Sequence, residues 1–293
     1  MALISGMVKA VLHALDTFSG VHSMTTSDKV FDGSIPEFYD TYLVPLIFTA
    51  YADDLAARVA ALAPESVLET AAGSGVVPRA LASRLGPDAR YVVTDLNQPM
   101  LDHAAAKQEA DARIEWRQAD ALDLPFEDGV FDAVICQYGA MFFPDRPKGY
   151  AEAHRVLARG GQYIFSVWDQ IRTNEFADAV TRSAGTMFPD DPPLFLARTP
   201  HGYHDHDVIR EDLSRAGFSS ISIETVEKTS SAPNARQVAL AYCQGTPLRS
   251  EIEARDPNAL DRATDKVTAD LEATYGTGPV SAKICAHVVT ATR

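Results

Sequence analysis

The sequence contains little cysteine, with three residues in a chain of 293, at positions 136, 243 and 285. Their wide spacing matches neither the disulfide framework of a small secreted domain nor the paired ligands of a structural metal site. We therefore expect a protein of a reducing compartment, the cytoplasm, with no bound metal ion.

Long apolar runs and basic residues are also scarce. No run of eighteen apolar residues occurs, so we expect no membrane span. Lys and Arg total 26 against 40 Asp and Glu, which gives a net charge of −14. Because nucleic-acid binding requires a basic surface, DNA and RNA are poor candidate substrates. We expect a small-molecule partner instead.

The middle of the chain alternates apolar strand patterns with helical ones. Candidate strands cover residues 66–69, 90–95, 113–118, 131–137, 162–168, 219–226 and 282–290, and candidate helices cover 76–85, 98–109, 147–158, 234–243, 247–254 and 260–275. Such alternation with short connections favours a parallel sheet with helices on both faces. The predicted fold is therefore α/β, a Rossmann-like sheet of seven mostly parallel strands with a helical lid.

The first predicted strand leads into a turn of small residues, Glu69 to Gly75, before helical spacing begins at Val76. Gly73 and Gly75 can adopt backbone angles that are closed to other residues, so backbone N–H groups can approach a ligand closely. Asp95 ends the second strand, where its carboxylate can accept hydrogen bonds from both hydroxyls of a ribose. A nucleoside cofactor is therefore expected to lie across the turn.

The residues of this turn favour one cofactor over another. The dinucleotide fingerprint needs glycine at its first, third and sixth positions, and only the middle one of Ala71, Gly73 and Val76 is glycine. A carboxylate at Glu69 would repel a pyrophosphate. The same carboxylate suits S-adenosylmethionine (SAM), which carries a sulfonium and an ammonium and no phosphate.

Four polar side chains lie at or just beyond the ends of predicted strands: Glu69, Asp95, Asp120 and Gln137. The carboxyl ends of parallel strands meet at one edge of a sheet, and ligands bind in the crevice beyond that edge. We therefore expect these four side chains to converge on one site.

At these positions the sequence resembles the class I SAM-dependent methyltransferases. The matching segments are Glu69–Gly75 for the first motif, Asp95 for the ribose-binding acid, Asp120 and Ala121 for the adenine-binding pair, Phe131–Gln137 for the fourth strand and Gly160–Trp168 for the turn into the fifth. Residues 31–40 and Cys136–Phe143 further resemble the small-molecule branch related to quinone-biosynthesis methyltransferases. The resemblance covers about residues 28–230.

The resemblance implies a methyltransferase with SAM as cofactor and a set of SAM ligands. These are Tyr39, Glu69, Ala71, Gly73, Gly75, Asp95, Leu96, Asp120, Ala121 and Gln137. Tyr39 or Tyr42 would lie over the sulfonium, unless the aromatic face of residues 35–62 only packs against the core. Asp120 would accept a hydrogen bond from the adenine amino group, and Leu96 would cover one face of the ring. Ala71 stands where the family has glycine, and alanine fits there if its φ angle stays negative.

Residues 136–145 occupy the position where the methyl group would face its acceptor. They contain neither the Asn or Asp followed by Pro-Pro of amino-directed nucleic-acid methyltransferases nor the carboxylates of metal-dependent catechol enzymes. We therefore expect a metal-independent transfer to a small, fairly apolar acceptor, with oxygen, nitrogen and carbon all open as the acceptor atom. The predicted pocket residues are Tyr42, Tyr138, Met141, Phe142 and Trp168. Met141 and Phe142 also fit a plain core role, and Trp168 either ends the core or walls the pocket.

Alignment of the reacting atoms is the main task in such a displacement, and a base is needed only if the acceptor must lose a proton. The best candidate base is His204, within Thr199–Asp207, where three histidines alternate with aspartates. The aspartates also suit the N-cap and first turn of a helix. Asn97 is likewise expected to cap a helix ahead of Pro99.

The expected domain order is an N-terminal extension (1–27), cap helices (28–62) and a methyltransferase domain (63–293). Lid insertions near 170–204 and 233–276 would set acceptor specificity. A homodimer is compatible with the sequence. Two other classes stay open: a non-catalytic SAM-binding domain and a nicotinamide-dependent oxidoreductase. The second is disfavoured because no tyrosine is followed four residues later by lysine.

Overall fold

The computed structural model describes residues 35–293, with side chains from Glu37 onwards. The predicted N-terminal extension, residues 1–27, and the segment that follows it up to Ser34 lie outside the described residues.

Helices and strands alternate through most of the described chain. The helices are α1 (Ile35–Phe38), a π-helical segment (Tyr39–Phe48), α2 (Thr49–Ala61), α3 (Val76–Leu81), α4 (Gln98–Lys107), α5 (Arg146–Val156), α6 (Glu175–Met187), α7 (Phe195–Arg198), α8 (His206–Arg215), α9 (Ala235–Cys243), α10 (Leu248–Arg255) and α11 (Leu260–Tyr275). The strands are β1 (Ser66–Glu69), β2 (Arg90–Asp95), β3 (Ile114–Gln118), β4 (Phe131–Gln137), β5 (Leu157–Trp168), β6 (Ser220–Ala232) and β7 (Val280–Thr292).

The seven strands form one sheet in the order β3-β2-β1-β4-β5-β7-β6. Strands β1 to β5 pair in parallel, and β7 runs antiparallel to β5. Val67 and Leu68 of the central strand β1 are fully buried, as expected for a parallel strand covered on both faces. The predicted Rossmann-like α/β fold is confirmed, and it brings the carboxyl ends of β1, β2, β4 and β5 to the same edge.

Three strands are longer than the sequence pattern predicts. The prediction starts β5 at residue 162, whereas β5 begins at Leu157 and runs through Gly160 and Gly161. Gly160 has φ +79°, and its N–H donates to the carbonyl of Arg293, so glycine allows the chain to stay in the sheet without a hydrophobic side chain. β6 and β7 also extend beyond their predicted bounds, 219–226 and 282–290. The added residues do not follow the alternating apolar pattern of a strand.

The described residues divide into two compact units. The sheet unit comprises Phe48–Asp169, Tyr203–Val226 and Ala286–Arg293. One face of its sheet packs against α2, α3 and α4 through a core that includes Leu55, Leu81, Val93, Leu101 and Ile135. These residues are apolar at helical spacing in the helices and at alternate positions in the strands, which is the pattern that buries one face of each element.

The helical unit comprises the described residues up to Ile47 together with Gln170–Gly202 and Glu227–Cys285. Within it α6 packs against α11, where Ser183 Oγ donates to Asp270 Oδ2 at 2.6 Å. The Asn174 side chain pairs with both backbone groups of Cys285, at 3.0 and 3.1 Å. The two predicted lid insertions fall largely in this unit, and their role as a lid stays a prediction. Among residues 35–293, no helix combines the length and the apolar character needed to cross a membrane.

Candidate active site

The turn after β1 is shaped by two glycines. Gly73 and Gly75 have φ angles of +56° and +77°, a region that residues with a side chain rarely adopt. A Cβ atom at Gly75 would lie only 2.8 Å from the Cβ of Ala104 in α4. Glycine at this position therefore allows the turn to pass close to α4, and the turn leads directly into the N-terminus of α3.

Ala71 corrects one expectation, because its φ angle is positive, at +54°. The sequence predicts a negative φ angle for alanine at this position. The methyl group of Ala71 faces Gly139, where an added Cβ would lie 2.4 Å away. Tyr138 beside it has φ +55°. Two non-glycine residues are thus held in a left-handed conformation, which costs of order 1 to 3 kcal/mol each and is typical of functional sites.

Glu69 is 1% exposed at the end of β1, and its carboxyl accepts a short hydrogen bond from the hydroxyl of Tyr91. Burial raises the pKa of Glu69 to about 8, and the nearby Asp95 adds to the rise, while the Tyr91 hydrogen bond and Arg79 oppose it. Burial therefore favours the protonated form of this carboxyl over its charged form. The negative charge predicted for Glu69 and its contact with SAM stay predictions.

Asp95, at the end of β2, joins two turns. One carboxylate oxygen accepts from the Gly73 N–H at 2.8 Å and the other from the Asn97 N–H at 2.8 Å. Burial raises the pKa of Asp95, and the backbone N–H groups of Asn97, Gly73 and Leu96 act against this rise. A carboxylate has about four acceptor positions, so each oxygen can take a further hydrogen bond from a hydroxyl. Asp95 is therefore fixed in place and still able to bind a diol.

Several buried polar atoms around this edge have no hydrogen-bond partner among residues 35–293, among them Ser74 Oγ in the glycine turn, Asn97 Oδ1 after β2 and Gln137 Nε2 at the end of β4. Asn97 holds the N-cap position of α4 as predicted, although its side chain makes no cap hydrogen bond. A buried polar group without a partner costs about 1 to 3 kcal/mol. A ligand with several polar groups would supply these partners, so the site fits a cofactor such as SAM.

The residues predicted to bind adenine lie on two neighbouring strand ends. The N–H of Ala119 donates to the Asp95 carbonyl at 3.0 Å and so ties the end of β3 to the end of β2. Leu96 is 55% exposed, which is unusual for a large apolar side chain. Asp120 is exposed, and its Oδ1 accepts from the N–H of Leu122 at 2.9 Å. The adenine roles of Leu96, Asp120 and Ala121 stay predictions.

An aromatic cluster occupies the ends of β4 and β5. The rings of Tyr138 and Trp168 stack with centroids 3.9 Å apart and planes at 7°. Phe48 and Tyr51 pack around this pair, with Tyr51 edge-on to both rings. Trp168 is 4% exposed, so it belongs to the core. Its second role, as a wall of the acceptor pocket, stays a prediction.

The remaining predicted pocket residues differ in burial and location. Met141 is buried and Phe142 is half-buried in the 3₁₀ turn after β4. Tyr39 and Tyr42 belong to the helical unit, where Tyr42 packs against Phe38 at 5.8 Å between ring centroids. Placing either tyrosine over the sulfonium stays a prediction.

The segment Thr199–Asp207, which contains three histidines, leads into α8 and contains the predicted helix cap. Asp205 caps α8, because its carboxylate accepts from the N–H groups of Asp207 and Val208. His204, the predicted base, is half-buried, and its catalytic role stays a prediction. His206 instead contacts His287 of β7, with His206 Nε2 and His287 Nδ1 at 3.3 Å.

Sequence reasoning missed His287 and its partners. His287 is 4% exposed, and its Nε2 lies 3.3 Å from Asp169 Oδ1. Thr225 Oγ1 lies 3.0 Å from His287 Nδ1. The available signal was a single histidine inside the apolar strand pattern Cys285–Val289, because a buried polar side chain in such a strand needs partners.

Known proteins with similar sequences are methyltransferases, as the arrangement of polar groups at this edge suggests. A family model described as a methyltransferase domain matches residues 68–165. The demethylmenaquinone methyltransferase of Clavibacter sepedonicus is 39% identical over 172 residues, which cover 56% of this chain and 69% of that protein. The corresponding enzyme of Thermus thermophilus is 42% identical over 105 residues, 35% of this chain and less than half (46%) of that protein.

A solved structure also shares the fold. Phosphoethanolamine N-methyltransferase 2 of Haemonchus contortus, in complex with S-adenosyl-L-methionine, superposes with a TM-score of 0.55 at 16% identity. The superposition covers 92% of this chain and 60% of that one. At this level of identity the similarity concerns the fold alone.

Proposed function

The chain belongs to the family of SAM-dependent methyltransferases that includes the demethylmenaquinone methyltransferases, and from this premise we propose that it methylates a ring carbon of a small apolar quinol without a metal ion. The cofactor is SAM, which supplies an electrophilic methyl group on a sulfonium. The acceptor, its nucleophilic atom and the metal independence are the proposed parts.

The observation that carries the proposal is the aromatic cluster at the ends of β4 and β5. Tyr138 follows Gln137 directly, and Trp168 ends the neighbouring strand. Both lie at the sheet edge that also carries Asp95 and the glycine turn. Aromatic side chains prefer the faces and edges of other rings, so this part of the edge favours a flat apolar acceptor.

The names of the relatives point to the same class of acceptor. The Clavibacter and Thermus proteins are demethylmenaquinone methyltransferases, and a Rhizobium etli relative at 28% identity is a ubiquinone/menaquinone biosynthesis C-methyltransferase. A quinone ring is electron-poor, whereas its reduced form is electron-rich at the carbons next to the hydroxyls. A direct displacement on the sulfonium needs a nucleophile, so the quinol is the reactive form.

The residues of the chain would act mainly by positioning. Asp95, held by two backbone N–H groups, binds the ribose hydroxyls, and the turn at Gly73 and Gly75 lets the backbone approach the cofactor. The Tyr138–Trp168 pair orients the acceptor ring and excludes water. Holding two reactants in line can lower a barrier by roughly 7 to 11 kcal/mol, so alignment alone is a large contribution.

Metal independence is supported by the distribution of donor groups. In the part of the chain that the structure describes, no group of three or more His, Cys, Asp or Glu side chains lies close enough to hold a metal ion. A metal-dependent transfer normally needs several such ligands to orient the acceptor oxygens.

The test is a transfer assay with labelled SAM and a panel of short-chain demethylmenaquinol, a simple phenol, an aromatic carboxylate and an amine, each with and without a chelator. We expect methylation of the quinol, release of one S-adenosylhomocysteine per methyl group and no effect of the chelator. Oxidised demethylmenaquinone is the matched control and should not react.

Two results would contradict the proposal in different ways. Saturable SAM binding without consumption of any acceptor would support a non-catalytic SAM-binding domain. Efficient methylation of the amine or carboxylate but not of the quinol would keep the methyltransferase and replace the acceptor class. A nicotinamide-dependent oxidoreductase, the other alternative from the sequence, is not the family to which the chain belongs.

A further inference from the structure

The turn that follows β4, residues 139–143, lies directly against the glycine turn. Gly139 is the second residue after β4, and a Cβ atom built on it would lie 2.4 Å from the Cβ of Ala71 and 2.8 Å from the Sγ of Cys136. Real Cβ atoms essentially never lie within 3.0 Å of such an atom, so position 139 has no room for a side chain. The backbone at Gly139 is therefore in contact with the methyl group of Ala71.

Glycine at position 139 is needed for space and not for backbone freedom. Its φ angle is −91°, which residues with a side chain readily adopt. Gly73 and Gly75 differ, because their positive φ angles favour glycine whatever the space around them. What requires glycine at position 139 is thus the close approach of neighbouring atoms, the Ala71 methyl group above all.

The contact involves two residues with a strained backbone. Ala71 has φ +54°, and Tyr138, the residue before Gly139, has φ +55°. Such conformations persist only where the surrounding structure enforces them. The N–H of Tyr138 donates to the Ser166 carbonyl at 3.0 Å, which fixes the backbone to β5 on one side. On the other side the chain continues into Gly139, so the direction of the Tyr138 ring depends on the contact with Ala71.

The glycine turn provides a fixed surface for this contact, because the two residues after Ala71 are bonded to β2. The N–H of Ala72 donates to the Thr94 carbonyl at 3.0 Å, and the N–H of Gly73 donates to Asp95 Oδ2 at 2.8 Å. A displacement at the contact is therefore taken up more easily by the turn after β4 than by the glycine turn.

The far end of the turn after β4 is held by α5. The ring of Phe143 fills the space beside Gly149, where an added Cβ would lie 2.7 Å from the ring. Arg146 Nη2 donates to the Met141 carbonyl at 3.1 Å. Because the turn is held at this end, a displacement at its first residue passes back to the tyrosine before it.

We propose that Gly139 is a positioning residue for methyl transfer, because its contact with Ala71 fixes the ring of Tyr138 relative to the turn that binds SAM. Trp168 stacks on that ring at 3.9 Å and is fixed with it. The role of the two rings in holding the acceptor rests on the proposed function. One direct contact then aligns donor and acceptor, and a displacement of about 1 Å in such an alignment can lower the rate about 100-fold.

The first experiment reads the ring pair without any acceptor. Near-UV circular dichroism reports the fixed packing of aromatic rings, and the contribution of Trp168 is the difference between the full chain and its Trp168→Leu variant. Gly139→Ala should remove most of this contribution, because the added methyl group displaces the ring of Tyr138. Ala71→Gly in the same chain should restore it. The nearest atom at position 71 would then be the Cα at 3.8 Å, an ordinary contact, and Cys136 Sγ can move to another rotamer.

Gly161→Ala is the matched control. Its added Cβ would lie 2.9 Å from the carbonyl oxygen of Asp132, at the opposite end of β4 and β5 from the aromatic pair. It should lower stability and leave the Trp168 signal unchanged, with no gain from Ala71→Gly. An unchanged signal in Gly139→Ala, or no recovery on adding Ala71→Gly, would overturn the proposal. If Gly139→Ala does not fold, Ala71→Gly alone decides: the lost methyl group should weaken the signal, and an unchanged signal would overturn the proposal.

The second experiment uses the quinol assay. Gly139→Ala should lower kcat about 100-fold, while SAM affinity by calorimetry stays the same because β2 holds the glycine turn. Adding Ala71→Gly should bring kcat back to within about tenfold of Ala71→Gly alone, since residues in contact are not additive. An unchanged kcat, or a loss of SAM affinity as large as the loss of kcat, would overturn the proposal. If the wild-type chain methylates no quinol while the dichroism results hold, the proposed function fails and the support of the ring pair by Gly139 stands.

Discussion

The two halves of the sheet edge differ in chemistry and in how tightly they are held together. At the ends of β1 and β2 the groups are polar: Asp95 accepts from the backbone N–H groups of Gly73 and Asn97, and Glu69 accepts from the hydroxyl of Tyr91. At the ends of β4 and β5 the groups are aromatic and come from distant parts of the chain, as in the packing of Phe48 and Tyr51 against Trp168.

The difference separates two tasks. A cofactor with a ribose and charged groups needs fixed donors and acceptors, whose angles the turn can set within one short segment. An apolar acceptor needs shape and the exclusion of water, which large rings provide from several elements. We therefore expect substitutions in the β1–β2 half to change SAM affinity, and substitutions in the β4–β5 half to change acceptor turnover.

The largest expected effect concerns the charge of Glu69. Because its folded-state pKa, about 8, exceeds the unfolded value of 4.5, the folded state binds the proton more tightly and stability falls as pH rises between these two values. The loss should reach about 5 kcal/mol, because the two pKa values differ by about 3.5 and each unit corresponds to about 1.4 kcal/mol. Urea unfolding at several pH values should show this fall in the wild type and not in Glu69→Gln.

Glu65→Gln is the matched control for this prediction, because Glu65 is exposed and directly precedes the same strand. It should keep the pH dependence of the wild type. Equal pH dependence in Glu69→Gln and in the wild type would mean that Glu69 is ionised in the folded state, and the β1–β2 half would then carry two negative groups.

Asp95 should have the next largest effect. Asp95→Ala removes the predicted acceptor of both ribose hydroxyls and leaves the N–H groups of Gly73 and Asn97 unpaired. A hydrogen bond to a charged group contributes about 1.5 to 3 kcal/mol, so SAM affinity should fall roughly 100-fold by calorimetry. Asp102→Asn, an exposed acid on α4, should bind SAM normally. Unchanged affinity in Asp95→Ala would remove Asp95 from the site.

Trp168 tests the other half of the edge. Trp168→Leu keeps an apolar side chain but removes the ring that stacks on Tyr138, and we expect kcat/KM for the acceptor to fall about 30-fold, within the range for lost positioning. SAM affinity should change little. Trp116→Leu, at the other tryptophan of the chain, controls for the general loss of a large ring. An equal loss of SAM affinity in Trp168→Leu would contradict the assignment of cofactor binding to one half of the edge and acceptor binding to the other.

The smallest expected effect is at Ala71. Ala71→Gly relieves the left-handed strain at φ +54° and should raise the free energy of unfolding by about 1 kcal/mol. Ala72→Gly, at a neighbour without a positive φ angle, should lower it by about 0.5 to 1 kcal/mol. Denaturant unfolding of the two variants measures both. The same sign of change in both would contradict the strained conformation of Ala71.

Much of the fold could be predicted from the sequence, because β1, β2 and β4 have short apolar runs bounded by clear turns. Their observed bounds agree with the prediction. The extensions of β5 and β7 could not be predicted, since pairing across the sheet holds Leu157 against Phe131 and Thr292 against Gln162, and neither Leu157 nor Thr292 belongs to a strand pattern in the sequence.

The candidate site was predictable to the extent that its groups are local. The positions of Asp95 and the glycine turn follow from motif spacing, whereas the protonation of Glu69 depends on its burial beside Tyr91. The contact of His287 with Asp169 joins residues more than a hundred positions apart. Periodicity within one segment carries no information on such contacts.

The central claim is that the polar half of the edge delivers a methyl group to an aromatic ring in the other half. Its most direct test is transfer from SAM carrying a deuterated methyl group to a demethylmenaquinol, with the product analysed by NMR and mass spectrometry. The account predicts one deuterated methyl group on a ring carbon. A label on oxygen, or SAM bound without any labelled product, would contradict it.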